Sequence, residues 1–325
     1  MSDGARWDSA YHAPVLAAEI VRLLVGEDAT GAPRSAHGRL AVDGTLGGGG
    51  HSLAFLEAGF DVVAFDRDPR AITAATERLR AYAEAGRFRA VQANYADADV
   101  HLAGATVDAV LLDLGISSHQ IDDTGRGFSF REGAPLDMRM GTDAPADAAT
   151  LLNALDERDL ARVFRDYGDE PRAPRLAREV VRRRANRPFE TSDDLVGAIR
   201  GAFGPRTGPG DFARLFQAVR IAVNEELEGI GRALPALRDR LAPGGRIAVI
   251  AYHSGEDRLV KHAFREWSTG CICPPRQPIC TCGHVPLGKL VTRRAIEASA
   301  DEVARNPRAR SAKLRVWERS TEAAA

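Results

Sequence analysis

A chain of 325 residues is longer than one average domain and shorter than three, so one enlarged domain or two are expected. Hydrophobic residues at 44% and charged residues at 27% allow a sizeable core. The net charge of −1 excludes a whole-chain field toward nucleic acid or membrane, so any such contact has to come from a local patch.

In chain order, residues 39–43, 61–66, 87–92 and 107–114 are short apolar runs, each bounded by Gly, Asp or Asn. Continuous runs of this kind suit strands buried on both faces, as in a parallel sheet. Between them lie helical stretches, the clearest from Pro69 to Ala85, with proline at a favourable first position. Strand, helix, strand at this spacing predicts an α/β, doubly wound, mostly parallel sheet.

From about Ser129 to Gly210 no strand pattern occurs. Leu151, Leu152, Leu155, Leu160, Val163, Phe164 and Tyr167 share one helical face, and Leu176, Ala177, Val180 and Val181 share another. Ser192, followed by Asp193 and Asp194, reads as the N-cap of a third helix. A helix from near Asp211 leads to Leu241, Pro243-Gly244-Gly245 turns the chain into a strand from Arg246 to Tyr252, and Leu314 with Val316 suits a last edge strand. The expected organisation is a sheet domain over 1–128 and 211–325, interrupted by an all-helical insert over 129–210 suited to substrate recognition.

The segment from Asp43 to Ser52 (DGTLGGGGHS) follows the first strand and opens a helix. A glycine-rich turn there lets a nucleotide-like ligand approach the backbone, with helix N–H groups facing it. Asp66 ends the second strand, where an acidic residue accepts hydrogen bonds from ribose hydroxyls. NAD-like dinucleotides and S-adenosylmethionine both fit these features, but Gly47, Gly49 and Ser52 break the G-x-G-x-x-G spacing of the former. Asp113 closes the fourth strand, so Asp43, Asp66 and Asp113 are expected to converge on one crevice; Tyr95, past the third strand, is placed to stack on a purine.

With these and further strings in order, the sequence resembles the bacterial small-subunit rRNA cytosine-N4 methyltransferases over nearly its whole length. The strings include His12 to Leu16, Asp43 to Ser52, Phe65 to Pro69, Leu111 to Ser118, Arg126 to Phe130 and Pro135 to Met140. Phe216 to Asn224, Glu256 to Lys261 and Asn306 to Arg315 complete the set. The resemblance implies a class I, Rossmann-like methyltransferase domain with a helical insert. It implies S-adenosylmethionine contacts at Gly49, Gly50, His51, Asp66, Asp113 and Gln120, with Tyr95 where the family has an aromatic. The implied substrate is the N4 of a cytidine in the decoding region of 16S rRNA, within the small subunit or an assembly intermediate. Two stretches depart from the family pattern, Asp211 to Leu215 and Gly255 after Tyr252-His253-Ser254.

A cytosine amine is a poor nucleophile because its lone pair is delocalised into the ring. Acceptors that bond its protons favour a pyramidal nitrogen, and alignment with the methyl group does the rest. Amino methyltransferases commonly carry Asp/Asn-Pro-Pro-aromatic at the end of the fourth strand, and Asp113-Leu114-Gly115-Ile116 stands here instead. Asp137, Ser117 and His253 are the candidates to touch the base; a structural ion pair, a helix cap and a packed strand end are their respective alternatives.

Cys271, Cys273, Cys280 and Cys282 lie within twelve residues, with His284 nearby. Clustered thiols of this kind hold zinc or form a loop of reduced cysteines, and the spacing leaves both open. Arg172 to Arg187 contains seven arginines against one acid, Glu179, and a second basic group comprises Arg305, Arg308, Arg310, Lys313 and Arg315. Both offer phosphate contacts on a neutral protein. No apolar run approaches the ~20 residues of a membrane span, and the N-terminus lacks a signal-peptide layout. A soluble, cytoplasmic, S-adenosylmethionine-dependent enzyme is expected. The rival classes are a non-catalytic RNA-binding assembly factor that kept the fold, and a nicotinamide-dependent oxidoreductase.

Overall fold

The computed structural model describes residues 7–8, 14–27, 32–116, 123–274, 277, 279 and 281–321. They form two compact units, one from Met1–Gly115 with Gly229–Ala325 and one from Ile116–Glu228.

The first unit is built on a seven-stranded sheet. Its strands are β1 (Leu40–Asp43), β2 (Asp61–Asp66), β3 (Phe88–Gln92), β4 (Val107–Asp113), β5 (Leu241–Ala251), β6 (Gly288–Leu290) and β7 (Lys313–Arg319). The order across the sheet is β3-β2-β1-β4-β5-β7-β6. Pairings from β3 through β5 are parallel, and β7 runs antiparallel to both β5 and β6. The unbroken apolar runs of β2 and β4 are buried along almost their whole length, as strands covered on both faces must be. This is the doubly wound α/β class expected from the sequence, with strand limits within a residue or so for the first four strands.

Three expectations about helix limits and the sheet edge need correction. The helix expected over 69–85 is two helices, Pro69–Arg78 and Arg80–Glu84, broken at the buried Leu79. The helix expected from Asp211 to Leu241 is also two, Pro209–Asn224 and Glu226–Arg240, with Glu225 between them in the left-handed region at φ 50°. Finally, β7 is not the edge of the sheet. The three-residue β6 covers it, and a strand that short carries no legible hydrophobic period. Leu314, Val316 and Trp317 are accordingly buried. The charged residues that alternate with them are satisfied: Arg315 forks onto Asp257 at 2.7 and 3.1 Å, and Glu318 takes Arg246 and Lys289.

The second unit is helical, with five longer helices at Ala148–Ala154, Glu157–Asp166, Ala173–Arg184, Ser192–Phe203 and Pro209–Asn224. Their apolar faces meet in one core around Leu152, Phe164, Leu176, Ile199, Leu215 and Phe216. Local caps fix the starts: the Asp147 carboxylate accepts the Thr150 N–H at 2.7 Å, and that of Asp156 accepts the Asp159 N–H at 2.8 Å. For the fourth helix the cap is Thr191, one residue earlier than expected, because Asp194 reaches back to the Thr191 N–H at 2.9 Å and closes a capping box. The unit is wider than the expected 129–210. Phe128 on one side, and Phe212, Phe216 and Val219 on the other, join the same core, and the compact unit runs from Ile116 to Glu228.

Candidate active site

The strand order reverses between β1 and β4, where open α/β sheets hold their ligands beyond the carboxyl ends of the strands. The chain leaves β1 at Asp43 and enters the helix Gly50–Ala58 through the glycine-rich turn. Gly49 is the N-cap at φ 75°, a conformation that strains other residues. A side chain at Gly50 would begin 2.9 Å from the ring of Pro14, so glycine is what lets the preceding segment close over the turn. No side chain caps this helix, and its first-turn N–H groups present partial positive charge toward the turn.

Asp66 is locked by the backbone. One carboxylate oxygen accepts the Gly47 N–H and the other the Asp68 N–H, each at 2.8 Å. A carboxylate oxygen accepts two bonds, so each keeps a lone pair, which suits the two hydroxyls of a ribose. Burial pushes the Asp66 carboxyl up to about 6, against the lowering influence of the two N–H bonds.

Asp43 does not share this role. It is fully buried, with one oxygen accepting the Ser52 hydroxyl at 2.7 Å and the other the Thr45 N–H at 3.1 Å. Burial raises its pKa, and its work is to tie the turn to the helix that follows. The expected convergence therefore narrows to Asp66 and Asp113.

Asp113 is buried at the end of β4, and its N–H donates to the Thr45 hydroxyl at 2.7 Å. Its carboxylate accepts the Tyr252 hydroxyl and lies 3.5 Å from His51 Nε2. Burial, with Asp113 beside it, holds the Tyr252 phenol well above its ordinary range. His51 is 5% exposed, and neither ring nitrogen has a hydrogen-bond partner among the described residues. A buried imidazole that makes no hydrogen bond of its own, with the Asp113 carboxylate 3.5 Å away, has unused capacity for a polar ligand in a glycine-lined crevice.

Tyr95 is half-buried on a single turn, Tyr95–Asp97, that Asn94 caps by accepting the Ala96 N–H at 3.0 Å. The turn brings Tyr95 Cβ to 3.1 Å from where a Gly44 side chain would begin, so the aromatic flanks the glycine-rich turn. Gly49, Gly50, His51, Asp66, Tyr95 and Asp113 thus all belong to the strand ends of one unit. Gln120 and Ser117 lie outside the described residues.

The other two base-contact candidates belong to different units. His253 caps the helix Ser254–Trp267: its Nδ1 accepts the Glu256 N–H at 3.5 Å and its Nε2 lies 3.1 Å from Glu256 Oε1. Glu256 is buried and also accepts the Tyr252 N–H at 2.7 Å. Asp137 belongs to the helical unit, where Arg139 grips it with its side chain at 2.7 and 2.8 Å and its N–H at 3.0 Å. Those bonds hold the Asp137 carboxyl below its ordinary range, so it is an ionised acceptor at neutral pH. Tyr252, Glu256, Thr45 and Pro14 were not singled out as working residues. Their signals were faint: Tyr252, Thr45 and Pro14 touch the site through partners distant in sequence, as Tyr252 does through Asp113, and Glu256 does so only through Tyr252 and His253.

The arginine-rich helix is less free than its composition. Arg182 and Arg183 share Glu179, whose carboxyl they pull down to about 2. Arg184 donates to the carbonyls of Leu152 and Leu155, at 2.7 and 2.6 Å, and Arg187 pairs with Asp194 at 3.3 Å. Arg183 is half-buried; Arg172, Arg175, Arg178, Arg182 and Arg187 are exposed. In the second basic group Arg305, Arg310 and Lys313 are exposed, while Arg315 is committed to Asp257.

The crevice residues fit S-adenosylmethionine: a locked carboxylate for its ribose, an aromatic flank, glycines for close approach and a buried imidazole with spare polar capacity. The family model described as the MraW methylase family matches residues 9–320. The chain is 60% identical over 311 residues to a ribosomal RNA small subunit methyltransferase H of Gemmatimonas aurantiaca, covering 94% of this chain and 95% of that protein. It is 48% identical over 316 residues to the protein of the same name from Anaeromyxobacter sp. strain K, covering 95% and 97%. Together the matches and the crevice establish that the chain belongs to the MraW methylase family and is an S-adenosylmethionine-dependent methyltransferase.

Proposed function

We propose that this enzyme methylates the exocyclic N4 of a cytidine in the decoding region of 16S rRNA, in the small subunit or an assembly intermediate, in the cytoplasm. The observation that carries the rRNA substrate is the 60% identity, over nearly the whole of both chains, to a ribosomal RNA small subunit methyltransferase H. The finer choice of a cytosine amine rests on the family resemblance of the sequence strings from His12 to Arg315.

When bound, the cofactor supplies an electrophilic methyl group on a sulfonium. The chain's own residues perform the rest. Asp66 takes the ribose hydroxyls, Tyr95 flanks the purine, and the helix N-terminus at Gly49 and Gly50 with His51 receives the remaining polar groups. Asp113, held by Tyr252 and Thr45, fixes the floor of the crevice and the orientation of His51. The amine needs an acceptor so that its lone pair can leave conjugation and one proton can depart as the new C–N bond forms. Asp137 is the first candidate because Arg139 keeps it ionised. Ser117 and His253 are the others, His253 in a positioning role through Glu256. Gln120 is proposed as a further cofactor contact, and the exposed arginines of the helical unit as phosphate contacts.

Mass spectrometry of 16S rRNA nucleosides from cells with and without this protein tests the reading. Loss of one N4-methylated cytidine on deletion, restored by the wild type and not by Asp137→Asn with intact cofactor binding, is expected. Unchanged rRNA modification in the deletion would overturn the assignment and favour a non-catalytic assembly factor.

A further inference from the structure

The loop between the helix Ser254–Trp267 and β6 has no core of its own: none of the described residues from 268 to 290 is buried. Ile272, Ile279, Val285 and Leu287 are exposed, between 42% and 75%. Its base is closed by Leu287 N–H donating to the Trp267 carbonyl at 2.8 Å, and His284 Nδ1 sits 2.7 Å from the Gly270 carbonyl. A segment of this length without apolar burial gains little from packing, and a cross-link or a metal would hold it in one conformation.

The thiols supply the means. The sulfur atoms of Cys271, Cys273 and Cys282 all lie within 4.8 Å of one another. Cys271 and Cys282 are 3.8 Å apart, sulfur to sulfur. A disulfide requires about 2.05 Å. Two thiolates on one tetrahedral zinc, each at about 2.3 Å, stand about 3.8 Å apart. Backbone groups also point at the sulfurs: the Cys273 N–H donates to Cys271 Sγ at 3.4 Å and the Ile272 N–H to Cys282 Sγ at 3.5 Å. Such donors stabilise thiolate charge and fix ligand direction, as the outer shell of a metal site does. His284 is not among the donor atoms that lie within 4.8 Å of one another, so the donor set argued here is the three thiols.

From these features we infer that Cys271, Cys273 and Cys282 bind a structural zinc ion that pins the loop from 268 to 287. Soft thiolate donors select zinc over magnesium or calcium. The site lies on an exposed loop beyond the helix Ser254–Trp267, and no cofactor-contact residue belongs to it, so its role is to hold this surface rather than to act on the methyl group. Cys280 is outside the described residues, and the site is argued from the other three.

The test begins with the wild-type full-length protein, so it does not depend on a variant folding. Purified from zinc-supplemented culture, it should carry about one zinc per chain by elemental analysis. Release by an organomercurial should track thiol modification. Cobalt(II) added to protein stripped of metal should give an intense thiolate-to-cobalt charge-transfer band with tetrahedral visible absorption. Cys271→Ser combined with Cys282→Ser should cut bound zinc at least tenfold and expose the loop to protease, with S-adenosylhomocysteine affinity unchanged. Less than a tenth of a zinc per chain together with no charge-transfer band would overturn the proposal. So would mass spectrometry showing a disulfide between any two of these cysteines in freshly isolated protein. None of these readouts depends on the rRNA assignment.

Discussion

The end of β2 and the arginine-rich helix Ala173–Arg184 both advertised a binding role through charge, and they turn out differently. At Asp66 a single carboxylate is locked by two backbone N–H groups and still keeps a lone pair on each oxygen. On the helix, seven arginines in the surrounding stretch are largely drawn into partners within their own unit: Glu179, Asp194, and the carbonyls of Leu152 and Leu155. Capacity for a ligand is what remains after the protein's own hydrogen bonds are made. A locked residue with a remainder is a better site than several charges whose partners lie beside them. Exposed pairs such as Arg182 with Glu179 contribute little to stability and can be exchanged for a phosphate, but only against that competition.

The largest effect expected from this contrast is at Asp66. In the proposed site, Asp66→Ala removes the acceptor of two charge-assisted bonds to the ribose, each expected to contribute roughly 1.5–3 kcal/mol. Affinity for S-adenosylhomocysteine should fall at least tenfold, with the melting transition still cooperative. Calorimetry finding the same affinity in variant and wild type would remove Asp66 from the cofactor site.

The pH dependence sharpens the same comparison. With its carboxyl raised to about 6, Asp66 is an acceptor above that pH and a neutral acid below it. Cofactor affinity should therefore be flat from pH 8 to 7 and fall as pH drops through 6, by roughly tenfold at pH 5. The stability of the ligand-free fold takes the opposite sign from this group. A raised carboxyl contributes stability that is complete below its unfolded value and lost as pH rises through 6. Acidification from 7 to 5 should thus weaken binding while relieving the cost of a buried carboxylate. Asp66→Asn should flatten the binding profile in this window. A profile that keeps its slope in Asp66→Asn would assign the titration to another group.

What the sequence made legible, and what it hid, follows the same division between local and distant causes. The first four strands, the glycine-rich turn and Asp66 are written locally, in apolar runs, in residues that permit positive φ and in an acid at a strand end. The sharing of Asp113 among Thr45, His51 and Tyr252 is not, because it joins positions 45 and 252 through a residue at 113. Asp43 looked like its neighbours Asp66 and Asp113 at a strand end. Only the Ser52 hydroxyl, placed by the first turn of the next helix, shows that it faces inward. The edge strand was misjudged because β6 has three residues and no period. The width of the helical unit was missed because Phe212 and Phe216 read equally well as the start of a helix covering the sheet.

A smaller effect separates the arginines that serve the fold from those that are free to serve RNA. Arg184 is half-buried and donates to two carbonyls at the end of the helix Ala148–Ala154, groups that otherwise lack helical partners. Arg184→Ala should cost about 1–2 kcal/mol of stability, seen as a lowered midpoint in urea. An unchanged midpoint would return Arg184 to the surface group.

The smallest effect concerns Arg175, Arg178 and Arg182, which are exposed on the helix Ala173–Arg184. Arg178 is 3.8 Å from Glu157, a loose pair, whereas Arg182 forks onto Glu179 at 2.6 and 2.9 Å. Each phosphate contact formed by one of them should add about 0.7–0.9 to the slope of log affinity against log salt. Replacing all three with Gln should weaken 16S rRNA binding and lower that slope by up to about 2–3. Removing only Arg182 should change it least, because Glu179 competes for that guanidinium and Arg183 keeps the acid paired afterwards. Cofactor affinity should stay constant, since no cofactor-contact residue lies on this helix. Equal slopes for wild type and triple variant, measured between 50 and 200 mM salt, would make the exposed arginines a solvated face and move the RNA contact to Arg305, Arg310 and Lys313, which face solvent in the other unit.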